Sequence, residues 1–134
     1  MRKSFIAGVT ALCLASGATA MAAPGPGSGG DGGGEVRVEG PCSGNSDWEF
    51  RLIPRDGNTL RVRWRVDSRI AGQTWQMSVT RNGATIASGA WTTSADGEAD
   101  LRVNGVANLR GTDTFIGTAR NAATGETCNG TASI

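Results

Sequence analysis

The sequence contains no histidine and no tyrosine, and its single lysine, Lys3, stands third from the start. Without histidine the commonest general acid–base and the commonest metal ligand are both missing. No Gly-x-Ser-x-Gly or phosphate-loop pattern occurs, so neither a nucleophile elbow nor a nucleotide cradle is expected. Cysteine is scarce too: only Cys13, Cys42 and Cys128 occur. Cys42 and Cys128 are far apart and have no histidine to complete a tetrahedral set, which argues against zinc. The expectation is a non-enzymatic protein with no metal and no cofactor.

Long apolar runs are equally rare. The only one, FIAGVTALCLASGATA, follows Arg2-Lys3 and ends in small residues. It is broken by glycine and hydroxyl residues and falls short of the ~20 apolar residues a membrane span needs. Residues 1–23 therefore read as a secretory signal peptide, with cleavage after Ala20, Ala22 or Ala23. Leu12, rather than a small residue, precedes Cys13, which argues against lipid attachment. The expected location is secreted and extracellular, with no membrane association after cleavage. Cys42 and Cys128 then form an even pair in an oxidising compartment, which predicts one disulfide.

Excess charge of one sign is also lacking. Beyond the leader, 11 arginines face 12 carboxylates, so the field of the whole molecule attracts neither nucleic acid nor an anionic membrane. Any anion site must come from local arrangement.

What remains is organised simply. Residues 24–34, PGPGSGGDGGG, have too little apolar surface to offset the entropy of ordering and form a flexible glycine-rich linker. Residues 35–134 suit one domain. They show no helical period, and turn signals recur every ten or so residues. Seven to eight short strands result, and an all-β, two-sheet antiparallel sandwich of immunoglobulin-like type is the expected fold.

Pairing follows from parity, because partners must share a face. In SDWEFRLIPRDGNTLRVRWRVD, a loop at Arg55-Asp56-Gly57 sets Leu52 opposite Leu60, Phe50 opposite Val62 and Trp48 opposite Trp64. On the outward face Glu49 then meets Arg63, Asp47 meets Arg65, and Arg51 meets Arg61. The first two pairs neutralise each other, so a weak anion site is expected only at Arg51 and Arg61. Asn82-Gly83 predicts a two-residue hairpin with Val79 opposite Ile86, Met77 opposite Ser88 and Trp75 opposite Ala90. Trp91 then emerges on the outward face beside Thr74, unless a bulge at Gly89 reverses it. A third hairpin turns at 122–125, with Ala119 opposite Cys128 and Gly117 opposite Gly130, small residues that leave room for the disulfide to cross toward Cys42.

The stretch FIGTARNAATGETC resembles the last hairpin of immunoglobulin-like and fibronectin type III-like domains. The order GPCSGNSDWEFRL, RVRWRVDS, AGQTWQMSVTRNG, TGETCNG is similar to small secreted actinobacterial proteins of unknown function, over about residues 36–134. The resemblance implies export, the sandwich and the disulfide, and implies no activity.

Two carboxylate groupings need a reading. Glu98 and Asp100 share one strand face, where solvation explains them better than paired-carboxylate catalysis. Asp96-Gly97-Glu98-x-Asp100 offers three carboxylates in five residues, whereas calcium takes six to eight oxygens, so it reads as a turn opening a strand. Binding is the better functional class. The expectation is a monomeric binding or interaction module whose partner is a protein or a cell-wall or extracellular polysaccharide. The alternative is a carbohydrate-binding module using an exposed Trp91 as stacking platform, with Thr74 and Gln76 as polar neighbours.

Overall fold

In this computed structural model, residues 34–134 are described, and the leader and linker expectations for 1–33 fall outside them. Eight strands follow one another: β1 (Val36–Pro41), β2 (Asp47–Arg55), β3 (Thr59–Asp67), β4 (Thr74–Arg81), β5 (Ala84–Thr92), β6 (Glu98–Ala107), β7 (Thr114–Asn121) and β8 (Thr127–Ser133). They form two four-stranded antiparallel sheets, β1-β2-β3-β6 and β5-β4-β7-β8. The arrangement is compatible with an immunoglobulin-like fold. Non-consecutive neighbours, β3 with β6 and β4 with β7, mean that the chain changes sheet three times and locks the layers together.

The alternation of apolar residues puts Phe50, Leu52, Val62, Trp64, Val66, Trp75, Val79, Leu101 and Phe115 between the sheets, each at most 1% exposed. Trp64 is the hub. Its ring lies 5.1 Å from Phe50 and 5.5 Å from Trp48, and its indole N–H donates across the core to the Thr118 carbonyl at 3.0 Å. Cys42, just past β1, is bonded to Cys128 in β8, so the disulfide ties an edge of one sheet to an edge of the other.

Two registers differ from expectation. The first hairpin turns at Asp56-Gly57-Asn58, one residue later, because Asn58 joins Gly57 in the left-handed region (φ 61° and 75°). Moving the turn by one shifts the pairing by two: Leu52 faces Val62, Phe50 faces Trp64 and Trp48 faces Val66. The faces survive, but every outward partner changes. In the second hairpin Arg81 faces Ala84 and Thr80 faces Thr85 as the Asn82-Gly83 turn requires, and then Val79 faces Ala87. Ile86 is the extra residue of a bulge, and beyond it every β5 side chain changes face. The β7–β8 hairpin pairs as expected, with Ala119 opposite Cys128 and Gly117 opposite Gly130. The space over those glycines, however, holds tryptophan rings: a Cβ on Gly117 would lie 2.5 Å from Trp64, and one on Gly130 2.7 Å from Trp48.

Candidate functional site

The corrected register rebuilds the arginine face. Arg37 pairs with Arg51, Arg51 with Arg63 and Arg63 with Arg102, so four arginines stand abreast across β1, β2, β3 and β6 at the ~4.8 Å strand spacing. Adjacent rows neutralise them. Arg63 and Arg102 both donate to Asp100, at 2.8 and 3.0 Å. Arg65 bridges Glu49 (2.9 Å) and Glu98 (3.3 Å), Arg37 reaches Glu39 and Glu49, and Arg51 donates to Glu35. That hydrogen bond from Arg51 holds the Glu35 carboxyl below its ordinary value and raises Arg51 in turn. Burial works to raise the Asp100 carboxyl, and the hydrogen bonds from Arg63 and Arg102 outweigh it, leaving it lowered. Arg61 faces Ile53 and donates to the Asn104 side-chain carbonyl at 2.9 Å. The expected meeting of Arg51 with Arg61 is therefore corrected: the slipped register separates them, and Arg51 is already paired. Glu98 and Asp100 are likewise held by arginines.

The same kind of correction applies to Trp91. The bulge at Ile86, not one at Gly89, turns it inward opposite Trp75, where it packs against the core with its ring folded back over Gly89. Thr74 and Gln76 stay on the outward face of that sheet, on the other side from Trp91. Gln76 lines a concavity there with Ser78, Ser88, Thr118, Arg120 and Asn129. The three residues expected to act together are thus divided between two faces and form no stacking platform together.

A different grouping arises where the loops gather. Antiparallel strands send loops 42–46, 68–73, 93–97 and 122–126 to one pole of the sandwich. Glu126 organises the first of them, accepting from the Gly44 N–H (3.0 Å), the Ser46 N–H (2.9 Å) and the Ser46 hydroxyl (3.0 Å). Loop 68–73 is fastened to loop 93–97. Ser68 N–H donates to the Gly97 carbonyl at 2.8 Å, Thr93 N–H to the Gln73 carbonyl at 2.8 Å, and the Thr93 hydroxyl to the Ile70 carbonyl at 2.7 Å. Gly97 is required there, since a Cβ would lie 2.5 Å from the backbone of Arg69 and Ile70.

Arg69 pays for this tight turn with a left-handed backbone, φ 63°, normally disfavoured for a residue with a long side chain. Its N–H donates to Asp67 at 3.0 Å and its guanidinium to the Asn45 carbonyl at 2.8 Å and to Asp47. The result is to hold Ile70 outward, 56% exposed. Ile70 forms one wall of a concavity of about 460 Å³ with Ser43, Asn45, Ser46, Gln73 and Glu126. The Gln73 side-chain oxygen is buried here without a protein partner, an acceptor whose lost hydration costs stability. Asp47 is paired with Arg69 and Glu98 with Arg65, which leaves Asp67, Asp96 and Glu126 against Arg120 and makes the pole net acidic.

Chemically the pole offers hydrogen-bond acceptors, negative charge and one apolar contact. The only turn signal pointing to it in the sequence was an isolated Ile70 within Ser-Arg-Ile-Ala-Gly-Gln, where turn residues would ordinarily surround nothing apolar. No group of three or more cysteine, aspartate or glutamate side chains among the described residues could hold a metal ion. No protein-family model, curated protein or solved structure matches this chain.

Proposed function

We propose that the chain is an exported, non-enzymatic binding module that recognises a protein partner through the acidic pole formed by loops 42–46, 68–73 and 122–126. One observation carries this reading: Ile70 is held in water by a loop that strains Arg69 and fastens itself through buried Ser68 and Thr93. Within the concavity Ile70 offers one apolar contact amid hydrogen-bond acceptors, and a loop already ordered by these hydrogen bonds spares part of the ordering cost of binding. Export rests on the N-terminal segment, and the fibronectin type III-like affinity and an actinobacterial source rest on the sequence resemblance. The carbohydrate alternative has no structural support in the inward-facing Trp91.

The test is an amide-resolved NMR titration with short peptides and cell-wall oligosaccharides. A peptide should move the signals of Ser43–Ser46, Ile70 and Thr124–Glu126, and Ile70→Ser should weaken that binding at least tenfold. Shifts confined to Thr74, Gln76 and Trp91, or an affinity untouched by Ile70→Ser, would sink the proposal.

A further inference from the structure

The opposite pole shows what chemistry would fit. Loops 56–58, 82–83 and 108–113 gather there, and among the described residues Arg55, Arg61, Arg81 and Arg110 are met at that pole by Asp56, Asp113 and Glu35. Glu35 is already ion-paired with Arg51, and Asp113 is 1% exposed and engaged with the Asn82 amide at 3.0 Å and the Leu109 N–H at 3.1 Å. Asp113 also exchanges two backbone hydrogen bonds with Ile134, at 2.9 and 3.1 Å. The consequence is a braced loop whose tip, Leu109-Arg110, points to solvent, with Leu109 47% exposed. Two of the three large hydrophobic side chains exposed among the described residues, Ile70 and Leu109, thus sit at opposite poles of opposite charge.

We infer that the acidic pole of one copy receives the Leu109-Arg110 tip of a second copy, so that the protein associates head to tail. This deepens the binding reading above and rests on it. Leu109 meets Ile70 in the concavity, and Arg110 meets the Glu126 carboxylate that lines it, apolar against apolar and cation against anion. A contact made by one loop tip lies at the small end of interface sizes, so association is weak, concentration-dependent and weakened by salt. Because the two surfaces differ, the contact is heterologous and does not close on a dimer.

Sedimentation velocity of the full chain tests it. The weight-average mass should rise with concentration and fall back toward the monomer as salt increases. Ile70→Ser and Leu109→Ser, both surface changes whose folding is checked by near-ultraviolet circular dichroism, should each be monomeric alone. Their equimolar mixture should form dimers and stop there, because one intact pole meets one intact tip and no second pair remains. A constant monomer mass, association by either single variant, or a mixture that stays monomeric would each overturn the inference. Titration with the peptide Asn-Leu-Arg-Gly-Thr, the sequence of residues 108–112, separates the two readings. Shifts at the acidic pole in a chain that stays monomeric leave that pole as a recognition surface for a foreign segment of the same chemistry. No shifts at all remove both.

Discussion

Gly117 shows how little space decides the core. It sits on β7 opposite Gly130, and the ring of Trp64 occupies the place where a side chain would be. Trp64 cannot easily retreat, since Phe50 and Trp48 flank it and its N–H is bonded to Thr118. Gly117→Ala should therefore cost roughly 1–3 kcal/mol through overpacking, read as a lower urea midpoint at unchanged slope. An unchanged midpoint would mean that the ring slides aside. The smallness of Gly117 and Gly130 was legible in the sequence, and so was their pairing. What filled the space was not, because the direction of a tryptophan ring is set by neighbours from three other strands.

At the scale of strands, single-residue choices at turns and bulges had the largest effects. The Asn82-Gly83 signal fixed the first two pairs of its hairpin, and the bulge at Ile86 then turned Trp91 into the sandwich. Nothing local marks Ile86, since Val79 and Ile86 suit either pairing. The arginine row was invisible for a related reason: it includes Arg37 and Arg102 from β1 and β6, whose neighbours only the topology reveals. Its central contact makes a prediction. Asp100, 21% exposed, accepts from both Arg63 and Arg102, and Asp100→Asn should lower stability by roughly 1–2 kcal/mol at neutral pH. The Asp100 carboxyl is lowered in the folded state, so its contribution is complete above its ordinary value near pH 4 and is lost as pH falls through the lowered one. Chemical denaturation across that range should show the wild-type and variant curves converging in acid. A constant difference would place the effect elsewhere.

For the whole molecule, sandwich and disulfide followed from counting strands and cysteines, whereas the two poles appear only once the loops are folded together. Loops of unrelated sequence meet there, and no pattern within one of them announces the others. The Cys42–Cys128 bond spans 86 residues, and its loss through Cys42→Ser with Cys128→Ser should cost about 2–5 kcal/mol, a large share of the ~5–15 kcal/mol typical of a domain. A melting temperature unmoved by that double change would show that β1 and β8 hold without it. The bond also governs how the domain bears tension. Pulled from residues 35 and 134, the chain can yield only the 35–41 and 129–134 segments before the force reaches the disulfide. At about 3.5 Å per extended residue that is roughly 45 Å of slack, against roughly 350 Å for the reduced chain. Oxidised, the domain is a nearly inextensible link that transmits load around its folded core; reduced, it becomes a spring that lengthens by unfolding.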